Sequence, residues 1–129
     1  MQLEEFTVHD VSNFPEVRCD SNRIYSGYGP QWRDELEALI ARAEPFYMVF
    51  DANGFEESQE DTRLRAKWLK ENKSLLATVC KCIVSIEPNA EERERQNALS
   101  AGLERAFGVT RRVVADRQEA TSVGHSLLK

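Results

Sequence analysis

Histidine is scarce in this chain: His9 and His125 are the only two, and the cysteines Cys19, Cys80 and Cys82 are odd in number. A zinc centre needs four ligands, and neither histidine lies near the Cys80–Cys82 pair in sequence, so no metal site is expected. An odd cysteine count without a secretory leader argues against a disulfide framework. The thiols read instead as small apolar core groups. Cys80 and Cys82, two positions apart in a strand-like run, would face the same way. Long apolar runs are also missing, with nothing near the roughly 18 residues of a membrane span. The N-terminal MQLEEFTVHD is acidic and lacks a basic segment followed by an apolar one, which speaks against a secretory signal. These absences predict a cytoplasmic protein without membrane association.

Signatures of chemistry are equally thin. Gly27-Tyr28-Gly29-Pro30 lacks the Lys-Ser/Thr ending of a phosphate loop and runs into proline. Neither Ser58 nor Ser126 sits in a nucleophile elbow that would complete a triad with a histidine. No cofactor is expected. Positive charge is short in the first half: Met1 to Asp61 carries fourteen acidic and four basic residues, whereas Thr62 to Lys129 carries eight acidic and thirteen basic. The whole chain is at −5, which weighs against nucleic acid, since phosphate binding needs a basic field.

What is present is a repeated local pattern. Phe46 to Phe50 is apolar, ends at Asp51, passes the turn residues Asn53 and Gly54 and runs into an acidic helix start. That is a buried strand leading through a loop to a helix. The pattern recurs at Cys82 to Glu87 and Arg111 to Ala115. Upstream, Leu3 to Val11 and Glu16 to Asn22 read as two short strands joined by a turn at Asn13 to Pro15, and Ile24 to Tyr28 as a further extended piece. Gly29-Pro30 opens a first helix with Trp32, Leu36, Leu39, Ile40 and Ala43 on one face. Ser58 with Asp61 has near-capping-box spacing for a second helix, whose stripe is Leu64, Trp68, Leu75 and Leu76, and which Asn72 to Ser74 would bend or break. Asn89 caps a third helix with Leu99, Leu103, Ala106 and Phe107 inward, and Gly108 ends it. Gln118 to Leu128 forms the last. At 129 residues this is one domain spanning the chain. Its predicted class is α/β: a mixed sheet of four or five strands with an N-terminal hairpin and helices packed on it.

Asp51 is the best-placed residue for chemistry, at the carboxyl end of a buried strand. Nothing at fixed spacing supplies it with a partner, so a turn aspartate bonded near Asn53 and Gly54 is the expectation. Ser58 is read as an N-cap, with phosphorylation the alternative, which would add a charge of about −2 at a helix start. Tyr25, Tyr28 and Trp32 cluster near the first helix, either as an exposed anchor or as core.

PEVRCDSNRIYSGYGPQWRDELEALIARAEPFYMVFDANG, followed by RAKWLKENKSLLATVCKCIVSIE, is similar to short bacterial proteins of the STAS-like, SpoIIAA-like group. The likeness runs from about Glu16 to the end. It rests on Glu44-Pro45, the strand Phe46 to Asp51 with Gly54, and the Trp68-Leu69 and Glu71-Asn72 pairs. It implies a non-catalytic regulatory module that docks to another protein, with a phosphorylated serine at a helix start as the switch. Ser58 holds that position, although the Asp-Ser-Ser-Gly-like stretch of the group is absent. The implied contact surface is Asp51, Asn53, Glu56, Glu57, Ser58 and Asp61, and the partner a protein: a regulator, a kinase or a toxin. Two other readings stand beside it. One is an immunity or antitoxin-type protein neutralising a toxin through its acidic half. The other is a small-molecule binder or enzyme using Asp51. Monomer and homodimer are equally compatible with the sequence.

Overall fold

A computed structural model describes residues 1–51 and 58–128. Its strands are β1 (Asp10–Asn13), β2 (Glu16–Asp20), β3 (Phe46–Asp51), β4 (Cys80–Ile86) and β5 (Thr110–Val114). The helices are α1 (Gly29–Arg42), α2 (Gln59–Val79), α3 (Ala90–Phe107) and α4 (Arg117–Leu128). The five strands form one sheet in chain order, with β1 antiparallel to β2 and the other pairs parallel. This is the expected α/β class. Each parallel crossover steps one strand in the same direction with the same hand, so α1, α2 and α3 fall on one face of the sheet.

Two apolar layers result. On the first face, Trp32, Leu36 and Leu39 of α1 and Trp68 and Leu76 of α2 pack with Phe46 and Met48. On the second, Ala120 of α4 packs with Tyr47, Val49, Val84 and Val114. Alternation along β3 sends Phe46 and Met48 one way and Tyr47 and Val49 the other, as the pleat requires. β4 breaks that rule. Phe46 pairs with Cys80 but Met48 with Ile83, so β4 carries one extra residue there. Such a bulge reverses the facing of every residue beyond it. Cys80 therefore lies in the first layer and Cys82 in the second, which corrects the expectation that they face together.

The N-terminal segment is also different. Leu3–Glu5 is a single 3-10 turn and β1 begins only at Asp10, so Leu3 to Val11 is not a strand. The reason is hydrogen bonding. The N–H groups of Thr7, Val8 and His9, which a neighbouring strand would satisfy, all donate to the carboxylate of Glu35. Ile24 to Tyr28 forms a turn closed by the Tyr28 N–H on the Tyr25 carbonyl at 3.0 Å. α2 runs unbroken through Asn72 to Ser74. Leu75 and Leu99, expected in helix cores, are 54% and 55% exposed. The side chains of Leu103, Ala106 and Phe107 lie outside the described set.

Candidate functional site

β2 and β3 end together, with Asp20 opposite Asp51. Their carboxyl ends form the rim where open α/β sheets tend to place ligands. Asp51 is exposed there. Asn53, Glu56 and Glu57 lie outside the described residues. Ser58 caps α2: its Oγ accepts the Asp61 N–H at 3.1 Å and its hydroxyl donates to Asp61 Oδ2 at 2.9 Å.

Asp61 is only 3% exposed. Its Oδ2 accepts the Gly27 N–H at 2.7 Å and its Oδ1 the Gly29 N–H at 2.9 Å. Gly29 opens α1, where backbone donors have no partner within the helix. One carboxylate thus caps one helix and ties it to the cap of the next. A Cβ at Gly29 would stand 2.8 Å from Asp61 Oδ1, so glycine is what admits the clamp. Burial by itself would raise the Asp61 pKa, but the two glycine N–H groups and the Ser58 hydroxyl outweigh it and hold the carboxyl below its usual range. Asp61, one of the residues of the surface expected from sequence, is itself buried, with both carboxylate oxygens bonded within the chain. A phosphate on Ser58 would face this buried carboxylate and lose the hydroxyl's donated bond, a like-charge contact that opposes it.

The clamp fixes the turn that carries Tyr25. Tyr28 and Trp32 are buried in the core, whereas Tyr25 is 50% exposed. Its ring meets that of Tyr28 edge-on at 6.4 Å. Among the described residues Tyr25 is thus an exposed ring on a turn that Asp61 ties down, and Asp51 at the end of β3 and Glu60 in the first turn of α2 are exposed as well.

The most elaborate polar arrangement was not anticipated from sequence. Glu35 and His9 are both fully buried. The Glu35 carboxylate accepts from the N–H of Thr7 (2.8 Å), Val8 (3.0 Å) and His9 (2.7 Å), from His9 Nδ1 (2.8 Å) and from Gln31 Nε2 (2.7 Å). Burial pushes its pKa up, but the His9 ring and the three backbone donors prevail and bring it to about 2. His9 Nε2 is buried with no hydrogen-bond partner among the described residues. The pair anchors the N-terminal segment to α1. A signal was available: Glu35 sits one position before Leu36 and three after Trp32, on the buried face of α1. An acid in that stripe must be paired to be tolerated.

On the opposite face, Glu16 Oε1 accepts from the Tyr47 hydroxyl at 2.9 Å and from Thr121 Oγ1 at 2.8 Å, joining β2, β3 and α4. Burial first, and the neighbouring Glu16 carboxylate second, drive the Tyr47 pKa upward. The exposed His125 ring leans on Tyr47 at 5.5 Å. No group of three or more potential metal ligands occurs among the described residues, and no helix among them is long and apolar enough to cross a membrane.

All three cysteines are free and buried. Burial pushes the Cys80 thiol up to about 12 and Cys82 to about 11, and raises Cys19 as well. The thiolate is the reactive form. Native protein at pH 8 is therefore expected to react negligibly with a thiol-specific chromogenic reagent, while protein in guanidinium chloride titrates for all three. Rapid labelling of the native chain would contradict this placement.

No family of known proteins, no curated protein and no solved structure matches this chain.

Proposed function

We propose that this chain is a STAS-like, non-catalytic module that docks another protein on the rim formed by the carboxyl ends of β2 and β3 and the start of α2. The observation that carries this reading is Tyr25, half exposed on a turn whose geometry Asp61 fixes. An exposed aromatic on a pre-ordered backbone is the kind of group that anchors interfaces, because little freedom is lost when it is covered. The exposed carboxylates of Asp51 and Glu60 favour a partner with a basic contact patch and hasten its arrival. The STAS-like reading is supported by the layout: an N-terminal hairpin, then parallel strands joined by helices. The Asp61–Ser58 bonding supports a docking surface that works without phosphorylation of Ser58.

Replacing Tyr25 with a photo-crosslinking phenylalanine analogue in cells is expected to trap one discrete protein. The same analogue at Gln118, exposed on α4, should not trap it. Adding Asp51→Lys and Glu60→Lys should lower the yield severalfold at low salt while leaving the fold intact. Equal trapping at both positions, or a yield indifferent to the charge reversal, would reject the docking rim. Small-molecule turnover that depends on Asp51 would replace the module reading with an enzymatic one.

A further inference from the structure

A second feature lies away from the rim and is independent of the docking reading. Between α2 and the first face of the sheet is a cleft of about 270 Å³, close to the lower end of the roughly 300–1,000 Å³ typical of small-molecule sites. α2 lines it with Arg65, Leu69, Lys73 and Leu76, whose spacings of four, four and three put them on one helical face. At about 1.5 Å per residue that face extends roughly 16 Å. Met48 and Phe50 of β3 also line the cleft. The space is thus a slot along the helix rather than a round cavity.

Its charges are all of one sign. Arg65, Lys73 and Arg111 line the slot, and no acid among the described residues does. Arg111, on β5, is the informative one. Its Nη1 donates to the Gln96 carbonyl at 3.2 Å and to Ser100 Oγ at 3.3 Å, both neutral acceptors. The adjacent Arg112 reaches Glu104 Oε1 at 3.0 Å instead. Among the described residues no carboxylate pairs with the Arg111 guanidinium, and its Nε and Nη2 edge makes no hydrogen bond. Partial burial pushes its pKa down, the mark of a cation that has lost water without gaining a counter-charge. Such a group favours an anion, and the open edge of a guanidinium matches the two oxygens of a carboxylate. α3 holds the other edge in place.

We propose that this slot binds a single-chain aliphatic carboxylate, with its head group on Arg111 and its chain running between Leu69 and Leu76 of α2 and Met48 and Phe50 of β3. The cleft also contacts Trp32, which supplies a reporter.

The probe is sodium decanoate, whose extended chain fits within the slot, titrated below its aggregation concentration into the full chain. Saturable change in tryptophan fluorescence and a rise in melting temperature are expected. 1-Decanol, with the same chain and no charge, should bind about tenfold to a hundredfold more weakly. Arg111→Leu should bring decanoate down to the level of decanol and leave decanol unchanged. Leu69→Trp, which fills the slot and leaves every cation in the chain, should abolish both, and it keeps the proposal testable if Arg111→Leu fails to fold. No saturable response to decanoate in the native chain would overturn the proposal. So would equal binding of decanoate and decanol, or undiminished binding by folded Leu69→Trp.

Discussion

Glu35→Ala is expected to remove roughly 3–5 kcal/mol of stability, since it deletes a buried carboxylate and leaves several hydrogen-bond donors without a partner. The loss would leave the N–H groups of Thr7, Val8 and His9 without their acceptor, and His9 Nδ1 without its partner in a fully buried position. Each orphaned buried donor costs about 1–3 kcal/mol. A domain of this size has only about 5–15 kcal/mol in total, so the melting temperature should fall by roughly 10 °C or more. Glu35→Gln keeps one acceptor oxygen and should cost less. The two variants also separate charge from shape. Glu35 titrates at about 2 in the folded chain against its usual 4.5. The folded form therefore binds fewer protons than the unfolded one between these values. Its stabilisation is complete above about pH 4.5 and is lost as pH falls through about 2, in all about 3 kcal/mol. Chemical denaturation across that range should show the slope in the native chain and its loss in Glu35→Gln. A flat wild-type profile, or an Ala variant within 1 kcal/mol of wild type as a rough bound, would show that the N-terminal segment is anchored by other means.

Asp61→Ala should cost roughly 2–4 kcal/mol, because it removes an ionised acceptor from two backbone N–H groups and a hydroxyl at once. The expected consequence is local before it is global. Gly27 and Gly29 lose their acceptor, so the turn bearing Tyr25 should loosen and its amides should exchange faster than those of β3 and β4. Asp61→Asn keeps one acceptor oxygen but puts donors opposite N–H groups, and should fall between Ala and wild type. Hydrogen exchange resolved by residue distinguishes the outcomes. If the amides at positions 25 to 29 remain protected in Asp61→Ala, the carboxylate is not what orders the rim, and the docking reading loses its rigid platform. A loosened turn together with weakened trapping at Tyr25 would link the clamp to partner binding.

The two predictions share a cause that was only partly visible in the sequence. Ser58 followed by Asp61 announces a helix cap, and the cap is there. Nothing nearby announces that the same carboxylate reaches across to Gly27 and Gly29, 34 and 32 positions away. Likewise Glu35 stands out as an acid on the apolar face of α1, yet apart from Gln31 on the same helix its partners lie 26 to 28 positions upstream. Leu3 to Val11 reads as a strand although Phe6 and His9 interrupt its alternation, and Phe6, Val8 and His9 are all buried. What periodicity misses is where the backbone donors go, which depends on a side chain from another element. Leu75 and Leu99 fit helical stripes by spacing alone, but the neighbouring elements leave those positions exposed.

Signals confined to a few consecutive residues therefore settled what they physically control. The apolar run Phe46 to Phe50, Pro30 at the start of α1, Asn89 and Gly108 at the ends of α3, and the alternation of strand and helix fixed the elements and the α/β class, because burial pattern and capping act within one or two turns of chain. The extra residue in β4 that parts Cys80 from Cys82, the carboxylate clamp under the rim and the Arg111 guanidinium held by neutral acceptors beside the slot arose only on packing. Each depends on groups from separate elements meeting at hydrogen-bonding distance, and no local preference encodes which distant partner a buried charge will find.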